Sequence, residues 1–215
     1  MLNTIIECVI HEKSGIQKAT CILLLLLLAA CQTKPVVEDL AQTNAIKQAQ
    51  HQQKLAAFDH WHSAGKLLLR QDEVQYLLLF DWQQRTHGMV SLRLDSQFGS
   101  TLLKVDKKLG GYKVQLSGKA PLVTQNLDQL IQRELRVNLS YQALAYWIKG
   151  MVYPDYPIDE AVFNADGYLD KLIQAGWQVE YQAYTDQTPE AGLVLPYKIK
   201  LMHNQQTISL FIRWL

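Results

Sequence analysis

The chain has 215 residues, of which 48% are hydrophobic, and a formal net charge of +1. This length and composition fit one globular domain with a substantial core. The near-neutral charge excludes the strong basic field that would attract nucleic acid or acidic lipid, so we expect no nucleic-acid partner.

An apolar stretch near the N-terminus ends in a sequence typical of a lipidation site. The run from Ala19 to Ala30 is too short for a permanent membrane span, but it has the length and the small terminal residues of a cleavable signal. It closes on Leu28-Ala29-Ala30-Cys31, which has the form of a lipobox. Residues 1–30 are therefore predicted to be a signal peptide, and Cys31 to carry an S-diacylglycerol and an N-acyl chain. The alternative is an ordinary secretory signal with a chance cysteine.

The residues after Cys31 indicate how the protein is attached. Gln32 stands where bacterial lipoproteins retained in the inner membrane have Asp, and this resemblance implies the outer membrane. Residues 31–44 are polar and turn-prone, which predicts a lipidated N-terminus and a flexible tether. From Ala45 to Phe58 the sequence predicts a mostly exposed helix with one apolar stripe, which Trp61 continues. The helix is expected to end near Gly65. Because no second linker follows, residues 45–215 are predicted to form one domain.

Beyond Gly65 the apolar residues alternate with a period of two, as in antiparallel strands that bury one face. Glycines between these runs predict hairpin connections. A sheet of this length is expected to curl or split to protect its apolar face. The alternating runs are Val74 to Trp82, Val90 to Leu94, Tyr112 to Leu116, Trp177 to Tyr181, Tyr197 to Leu201 and Ile208 to Trp214.

Two short helices are predicted between the strands. Asn126 has the side chain of an N-cap, with Gln129 at the capping-box position. Ser140 begins the second helix and Gly150 ends it. Each helix has one apolar side, so the pair is expected to lie across the open mouth of the curved sheet.

No catalytic constellation is found in the sequence, which contains no nucleophile elbow, phosphate-binding glycine loop or helical metal-binding motif. His60 and His62 are two residues apart, but no cysteine or paired carboxylate is near, and solvated histidines are a better interpretation than a metal site. We therefore expect no enzyme activity, no catalytic residue, no metal and no cofactor.

Several segments, in order along the chain, resemble the LolB family of outer-membrane lipoprotein receptors. Each segment is weak alone, but their order together with the lipobox makes the likeness specific. The segments are Phe80-Asp81-Trp82-Gln83-Gln84, Ser96-Gln97-Phe98-Gly99-Ser100, Ala145-Tyr146-Trp147-Ile148-Lys149-Gly150, Gln174-Ala175-Gly176-Trp177-Gln178-Val179-Glu180-Tyr181, Leu195-Pro196 and Ile212-Arg213-Trp214.

The resemblance implies a mainly β, α+β fold: an incomplete, curved antiparallel β-barrel covered by short helices around an apolar cavity. It implies a receptor, anchored to the outer membrane and facing the periplasm, that accepts lipoproteins from a LolA-like carrier. The implied partners are that carrier, lipoprotein acyl chains and outer-membrane phospholipid, and the receptor is expected to be a monomer. Residues 45–215 would then be the lipoprotein-binding domain.

Two sets of site residues follow. The family has a protruding apolar residue in a loop between strands; here Phe98 and Gly99 match that loop, with Gln97 where the family has Pro, which predicts a less rigid loop. Phe98 could instead fold back onto the barrel.

Inward strand residues and the two helices are predicted to line or cover an acyl cavity. These candidates are Tyr76, Leu78, Phe80, Val114, Leu116, Leu130, Trp147, Ile199, Leu201, Leu210 and Ile212.

Two other functions remain open from the sequence. A structural or assembly lipoprotein would have the same strands around a fully packed core. A lipid-modifying enzyme would need a nucleophile constellation that is not found.

Overall fold

The computed structural model describes residues 36–85, 90–108 and 110–215. Cys31, the predicted signal peptide and residues 31–35 of the predicted tether lie outside these ranges. The helices are α1 (Val36–Ala57), α2 (Leu127–Leu135) and α3 (Tyr141–Trp147). The strands are β1 (Trp61–Gln71), β2 (Val74–Gln84), β3 (Val90–Ser96), β4 (Thr101–Lys108), β5 (Gly111–Leu116), β6 (Leu122–Thr124), β7 (Ile158–Phe163), β8 (Leu169–Gln174), β9 (Trp177–Thr185), β10 (Leu195–His203) and β11 (Gln206–Trp214).

All of these strands form one antiparallel sheet in the order β6-β5-β4-β3-β2-β1-β11-β10-β9-β8-β7. The first and last strands in this order, β6 and β7, do not pair with each other among the described residues, so the barrel is incomplete. The sheet lies within the compact unit Thr43–Leu215, the second of two units along the chain. The predicted fold class, an incomplete curved antiparallel barrel with few helices, is confirmed.

The start of the fold differs from the prediction. α1 begins at Val36, so residues 36–44 are helical where a flexible tether was expected. This stretch contains neither Gly nor Pro, and nothing in it interrupts a helix. The helix ends at Ala57, and β1 begins at Trp61, which was expected to continue the helical stripe. None of the helices within the described ranges is both long and apolar enough to span a bilayer.

The N-caps of the two short helices agree with the sequence, although α3 ends at Trp147, before the predicted Gly150. The Asn126 side chain accepts a hydrogen bond from the Gln129 backbone N–H at 2.9 Å. The Ser140 hydroxyl accepts one from the Ala143 N–H at 3.4 Å. The helices are joined by a further bond, from the Tyr141 N–H to the Asp128 carboxylate at 2.8 Å. The two helices therefore form one connected insertion.

Candidate functional site

The inner face of the sheet and the two short helices enclose an apolar cavity of about 100 Å³. The helices and their connection form one side, through residues such as Ile131, Leu139 and Leu144. The strands form the other side, through residues that include Leu67, Leu69, Leu78, Phe80, Leu210 and Ile212. The polar side-chain groups of the lining are the Trp82 indole N–H and the Tyr141 hydroxyl, which hydrogen-bond to each other at 3.3 Å. The wall thus offers a ligand apolar contact, which suits hydrocarbon.

The predicted lining residues divide into three groups. Leu78, Phe80, Leu210 and Ile212 lie on the cavity wall. Tyr76 lies farther along β2, where it is 49% exposed. The others are buried in the core beside the cavity, among them Trp147 on α3 and Leu130 on α2; the remaining members are Val114, Leu116, Ile199 and Leu201.

Sequence reasoning missed other wall residues. Leu67 and Leu69 of β1 face the cavity, but they belong to the run Leu67-Leu68-Leu69, in which no alternation is visible. Leu92 and Leu94 of β3 also line the wall. Their alternation was recognised as a strand, and it could have added them to the candidates.

Aromatic side chains close one end of the cavity. The rings of Trp61 and Trp82 are 5.1 Å apart, and those of Trp61 and Trp214 are 5.8 Å apart, both edge to face. The Tyr141 ring lies 5.2 Å from Trp82. Burial raises the pKa of Tyr141, so its hydroxyl stays protonated. We refer to Trp61, Trp82, Trp214 and Tyr141 as the aromatic plug.

The opposite end of the cavity is open, as the exposure of side chains along β2 demonstrates. Trp82 is 3% exposed and Phe80 is 7% exposed, whereas Tyr76 and Val74 are about half exposed, at 49% and 50%. These four residues, with Leu78 between them, share one face of the strand. The apolar surface therefore continues from the cavity wall out to the β1–β2 hairpin, and we call this end the mouth.

α3 is fixed to the sheet by the buried side chain of Gln174. The Gln174 carbonyl oxygen accepts from the Trp147 indole N–H at 2.9 Å and from the Tyr153 backbone N–H at 3.0 Å. Its amide group donates to the Tyr153 carbonyl at 2.8 Å and to the Tyr156 carbonyl at 3.0 Å. Gln174 is fully buried, and all of its hydrogen-bonding groups are used. This network holds α3 rigidly against β8.

α2 is held more loosely. Besides the buried leucines of its first two turns, its ties to the barrel are the Lys119–Glu134 ion pair, at 2.5 Å, and a hydrogen bond of 2.7 Å from the Gln206 side chain to the Arg136 carbonyl. The pair includes a half-exposed lysine, and exposed pairs contribute little to stability. Leu135, at the end of α2, lines the cavity and is 36% exposed. The C-terminal end of α2 is therefore the part of the cover that separates from the barrel at least cost.

The C-terminal half of α1 packs beside the plug. The Lys149 ammonium donates to the carbonyls of Leu55 and Phe58, at 3.4 and 3.0 Å, and so satisfies carbonyls at the helix end. Lys149 is buried, and burial lowers its pKa to about 8. The Gln52 side chain adds a bond to the Gly150 carbonyl at 3.1 Å. These contacts reinforce the closed end.

Phe98 lies in the turn between β3 and β4 and is 85% exposed. The Gly99 N–H donates to the Ser96 carbonyl at 3.0 Å, and Gly99 has a φ of +84°, a conformation that favours glycine. The Ser96 hydroxyl accepts from the backbone N–H groups of Phe98 and Ser100, at 3.3 and 3.2 Å. These bonds order the turn although Gln97 replaces the expected Pro. Ser96 is also opposite Leu78, which places the turn beside the mouth.

His60 and His62, the pair considered as metal ligands, have acidic neighbours. His60 contacts Asp59, and the His62 ring lies 2.9 Å from the Asp81 carboxylate. Among the residues that the structure describes, no group of three potential metal ligands is found. These pairs do not form part of the cavity.

An open antiparallel barrel with an apolar cavity under a helical cover defines the class of this fold, and such a cavity suits hydrocarbon ligands. A model of the LolB family, outer membrane lipoprotein LolB, matches residues 59–214. The outer-membrane lipoprotein LolB of Ectopseudomonas mendocina (strain ymp) is 29% identical over 191 residues, or 88% of this chain and 91% of that protein. That of Cellvibrio japonicus (strain Ueda107) is 29% identical over 164 residues, or 76% and 80%.

Among solved structures, a LolA superfamily protein from Nitrosomonas europaea superposes with a TM-score of 0.42 at 9% identity, over 72% of this chain and 84% of that one. The match to the family model covers most of the chain, and the chain belongs to the LolB family of outer-membrane lipoproteins. The predicted family, the outer-membrane location and the function as a lipoprotein receptor of the Lol pathway are thereby confirmed.

Proposed function

We propose that the domain takes the acyl chains of a lipoprotein from a LolA-like carrier into the cavity and then delivers them to the inner leaflet of the outer membrane. The protein acts as a monomer, held by the acyl chains on Cys31. The observation that carries this proposal is the apolar cavity with one open end, next to the exposed Phe98. The outer-membrane phospholipid is the acceptor.

The cavity has to widen to take its ligand. Its volume of about 100 Å³ is below the ~300–1,000 Å³ of pockets that enclose drug-sized ligands. The weaker attachment of α2 indicates where the widening occurs. Movement of the C-terminal end of this helix away from the mouth breaks one exposed ion pair and one hydrogen bond, while the Asp128–Tyr141 bond at its first turn is kept. Movement of α3 breaks the buried network of Gln174. We infer that the C-terminal end of α2 opens and α3 stays in place.

Transfer between two cavities needs no fuel at this step. Each methylene that leaves water contributes about 0.8 kcal/mol, so acyl chains that pass directly from one apolar cavity to the next avoid a large barrier. Direction then follows from differences in affinity among carrier, receptor and bilayer, because a ligand moves to the state that binds it better.

The decisive experiment follows the transfer itself. Cys31→Ala protein, exported through an ordinary cleavable signal, is incubated with a carrier that holds a labelled triacylated lipoprotein. We expect the label to move to the Cys31→Ala protein, because the anchor takes no part in binding, and then to move slowly to vesicles. A protein that receives no label and binds no acyl probe would have a packed core, as a structural lipoprotein would. Mass spectrometry of the native protein tests the acyl chains on Cys31, and an unmodified cysteine would contradict the anchor.

A further inference from the structure

β2 extends beyond its neighbour β3 at the mouth of the cavity. On one side, β2 pairs with β1 as far as the hairpin, where Val74 is opposite Gln71. On the other side, its pairing with β3 stops where Leu78 is opposite Ser96. Among the described residues, 74–77 therefore form a strand segment with a partner on one side only, and about 14 Å of backbone edge is free at ~3.4 Å per residue.

The geometry of the hairpin defines which backbone groups face this free edge. The connection of β1 to β2 has two residues, Asp72 and Glu73, so Gln71 and Val74 form the closing hydrogen-bonded pair. In an antiparallel ladder, successive residues direct their N–H and C=O groups to opposite sides. The groups of Val74 and Tyr76 thus face β1, and those of Gln75 and Leu77 face the free edge. Within the described residues, Gln75 and Leu77 have no strand partner there.

This edge lacks the protection that the end strands of the sheet have. β6 has only three residues. β7 carries Asp159 and Glu160, and its pairing with β8 is irregular near both ends, features that discourage the addition of another strand. The sequence Val74-Gln75-Tyr76-Leu77 contains no charge, Pro or Gly, and all four residues are exposed. It is an open template for strand addition.

We propose that this free edge of β2 pairs with the client polypeptide immediately after its lipidated cysteine, as a short added strand. The inference rests on the proposed function. When the acyl chains of the client lie in the cavity, its first residue lies at the mouth, and the peptide begins where β2 loses its β3 partner. The side chains of Val74 and Tyr76 continue the apolar wall beside the peptide. The backbone N–H and C=O groups of Gln75 and Leu77 are available to pair with it.

Backbone pairing explains how one receptor accepts clients of different sequence. Hydrogen bonds between main chains are available to almost any residue, and side-chain pockets are what make strand addition selective. The edge of β2 is exposed on both of its faces and so imposes little selection. Proline at a position of the client that faces β2 is the expected exception, because proline has no N–H to donate.

The test uses two lipopeptides with the same acylated cysteine and the same six-residue tail. One is N-methylated at the second and fourth tail residues, the other at the third and fifth. Because alternate residues of an added strand direct their backbone N–H groups to β2, only one of the two methylation patterns removes N–H groups that donate to β2. We expect that lipopeptide to bind the Cys31→Ala protein about fivefold to 150-fold more weakly than the unmethylated one, the range for two net hydrogen bonds. The other pattern should bind like the unmethylated lipopeptide.

The outcomes separate the edge from the cavity. Equal affinity of all three lipopeptides, or an equal loss for both methylated ones, would overturn strand pairing while the cavity function stands. If no lipopeptide binds and the acylated cysteine without a tail does not bind either, the proposed function itself fails.

Variants of Leu77 provide a second measurement. Leu77→Pro removes an N–H that faces the edge and spares the hydrogen bonds of Tyr76 and Leu78 to β1, whereas Leu77→Ala keeps the N–H. The six-residue tail should increase affinity over that of the acylated cysteine alone. We expect this increase to be smaller in Leu77→Pro and unchanged in Leu77→Ala. If Leu77→Pro does not fold, the lipopeptide pair still decides. A dimer that forms without lipopeptide, is lost in Leu77→Pro and is kept in Leu77→Ala would assign the edge to a second copy and overturn the proposal.

Discussion

The two ends of the cavity are built in opposite ways. The closed end combines interlocked indoles with buried hydrogen bonds from the Lys149 ammonium and the Trp214 indole N–H. The mouth has half-exposed apolar side chains, a strand edge that no described strand covers and a helix end tied by exposed groups. Buried polar groups that are fully paired fix one structure, whereas sparse exposed contacts open at low cost. The closed end thus provides stability and the mouth provides function.

Gln174→Leu should have the largest effect on stability. The leucine would leave the Trp147 indole and the Tyr153 backbone N–H without acceptors in a buried site. At ~1–3 kcal/mol for each buried group left unpaired, we expect the free energy of unfolding to fall by about 3–5 kcal/mol. Denaturant unfolding measures this loss. Gln178→Leu on the next strand, whose side chain pairs with Glu180, is the matched control and should change stability by less than about 0.5 kcal/mol. Equal losses in both variants would show that the network does not hold α3.

His51 predicts a second effect, which appears only at acidic pH. Its ring is buried on α1, 4.5 Å from the ring of Tyr168, and burial, with the nearby charge of Lys54, lowers the pKa of His51 to about 4. Between pH 6.5 and 4 the unfolded chain binds this proton and the folded protein does not. Stability is therefore lost as the pH falls through this window, by at most about 3 kcal/mol.

Replacement of His51 with Phe tests this linkage. Phe keeps a ring against Tyr168 but does not titrate, so the variant should lose less stability than the native chain between pH 7 and pH 4. Carboxylates contribute to both proteins alike, and the difference between their unfolding curves isolates His51. If the two proteins lose stability in parallel, His51 is protonated in the folded state.

Leu210→Phe should affect the cavity more than the fold. Leu210 lies on the cavity wall, so part of the added ring can enter free space. We expect a cost of about 1 kcal/mol, at the low end of the ~1–3 kcal/mol for overpacking, and weaker binding of a fluorescent acyl probe. Leu201→Phe is the control, because Leu201 is fully buried away from the cavity wall. That variant should lose more stability, but its folded fraction should bind the probe normally. Equal binding by both variants would place the probe elsewhere.

The sequence predicted the architecture better than the wall of the cavity. Alternation identified β2, β3, β5, β9, β10 and β11 but missed β4, β6, β7 and β8, and the capping residues Asn126 and Ser140 fixed where the two helices begin. It did not reveal β1, because the leucines at 67–69 are apolar on both faces of the strand. Nor could it separate Leu210, which lines the cavity, from Leu201, which fills the core. Both face inward with the same period, and only the position of the helices over the sheet distinguishes them.

Phe98→Glu should have the smallest effect on stability and a specific effect on delivery. Phe98 is 85% exposed, and its turn is held by the hydroxyl of Ser96 and the conformation of Gly99. Because the phenyl ring is not part of the core, the free energy of unfolding should change by less than about 0.5 kcal/mol. Acceptance of lipoprotein from the carrier should also be nearly unchanged. Release to vesicles should slow, since an ionised carboxylate resists entry into an apolar layer.

Phe98→Leu is the control that keeps an apolar tip, and it should deliver lipoprotein to vesicles at close to the native rate. The comparison depends on measuring acceptance and delivery separately, with labelled lipoprotein first on the carrier and then on the receptor. If Phe98→Glu loses acceptance and delivery together, the turn contributes to the mouth that receives the acyl chains. If both variants deliver at the native rate, the acyl chains leave the mouth without help from this residue, and the half-exposed Val74 and Tyr76 become the apolar groups that meet the membrane first.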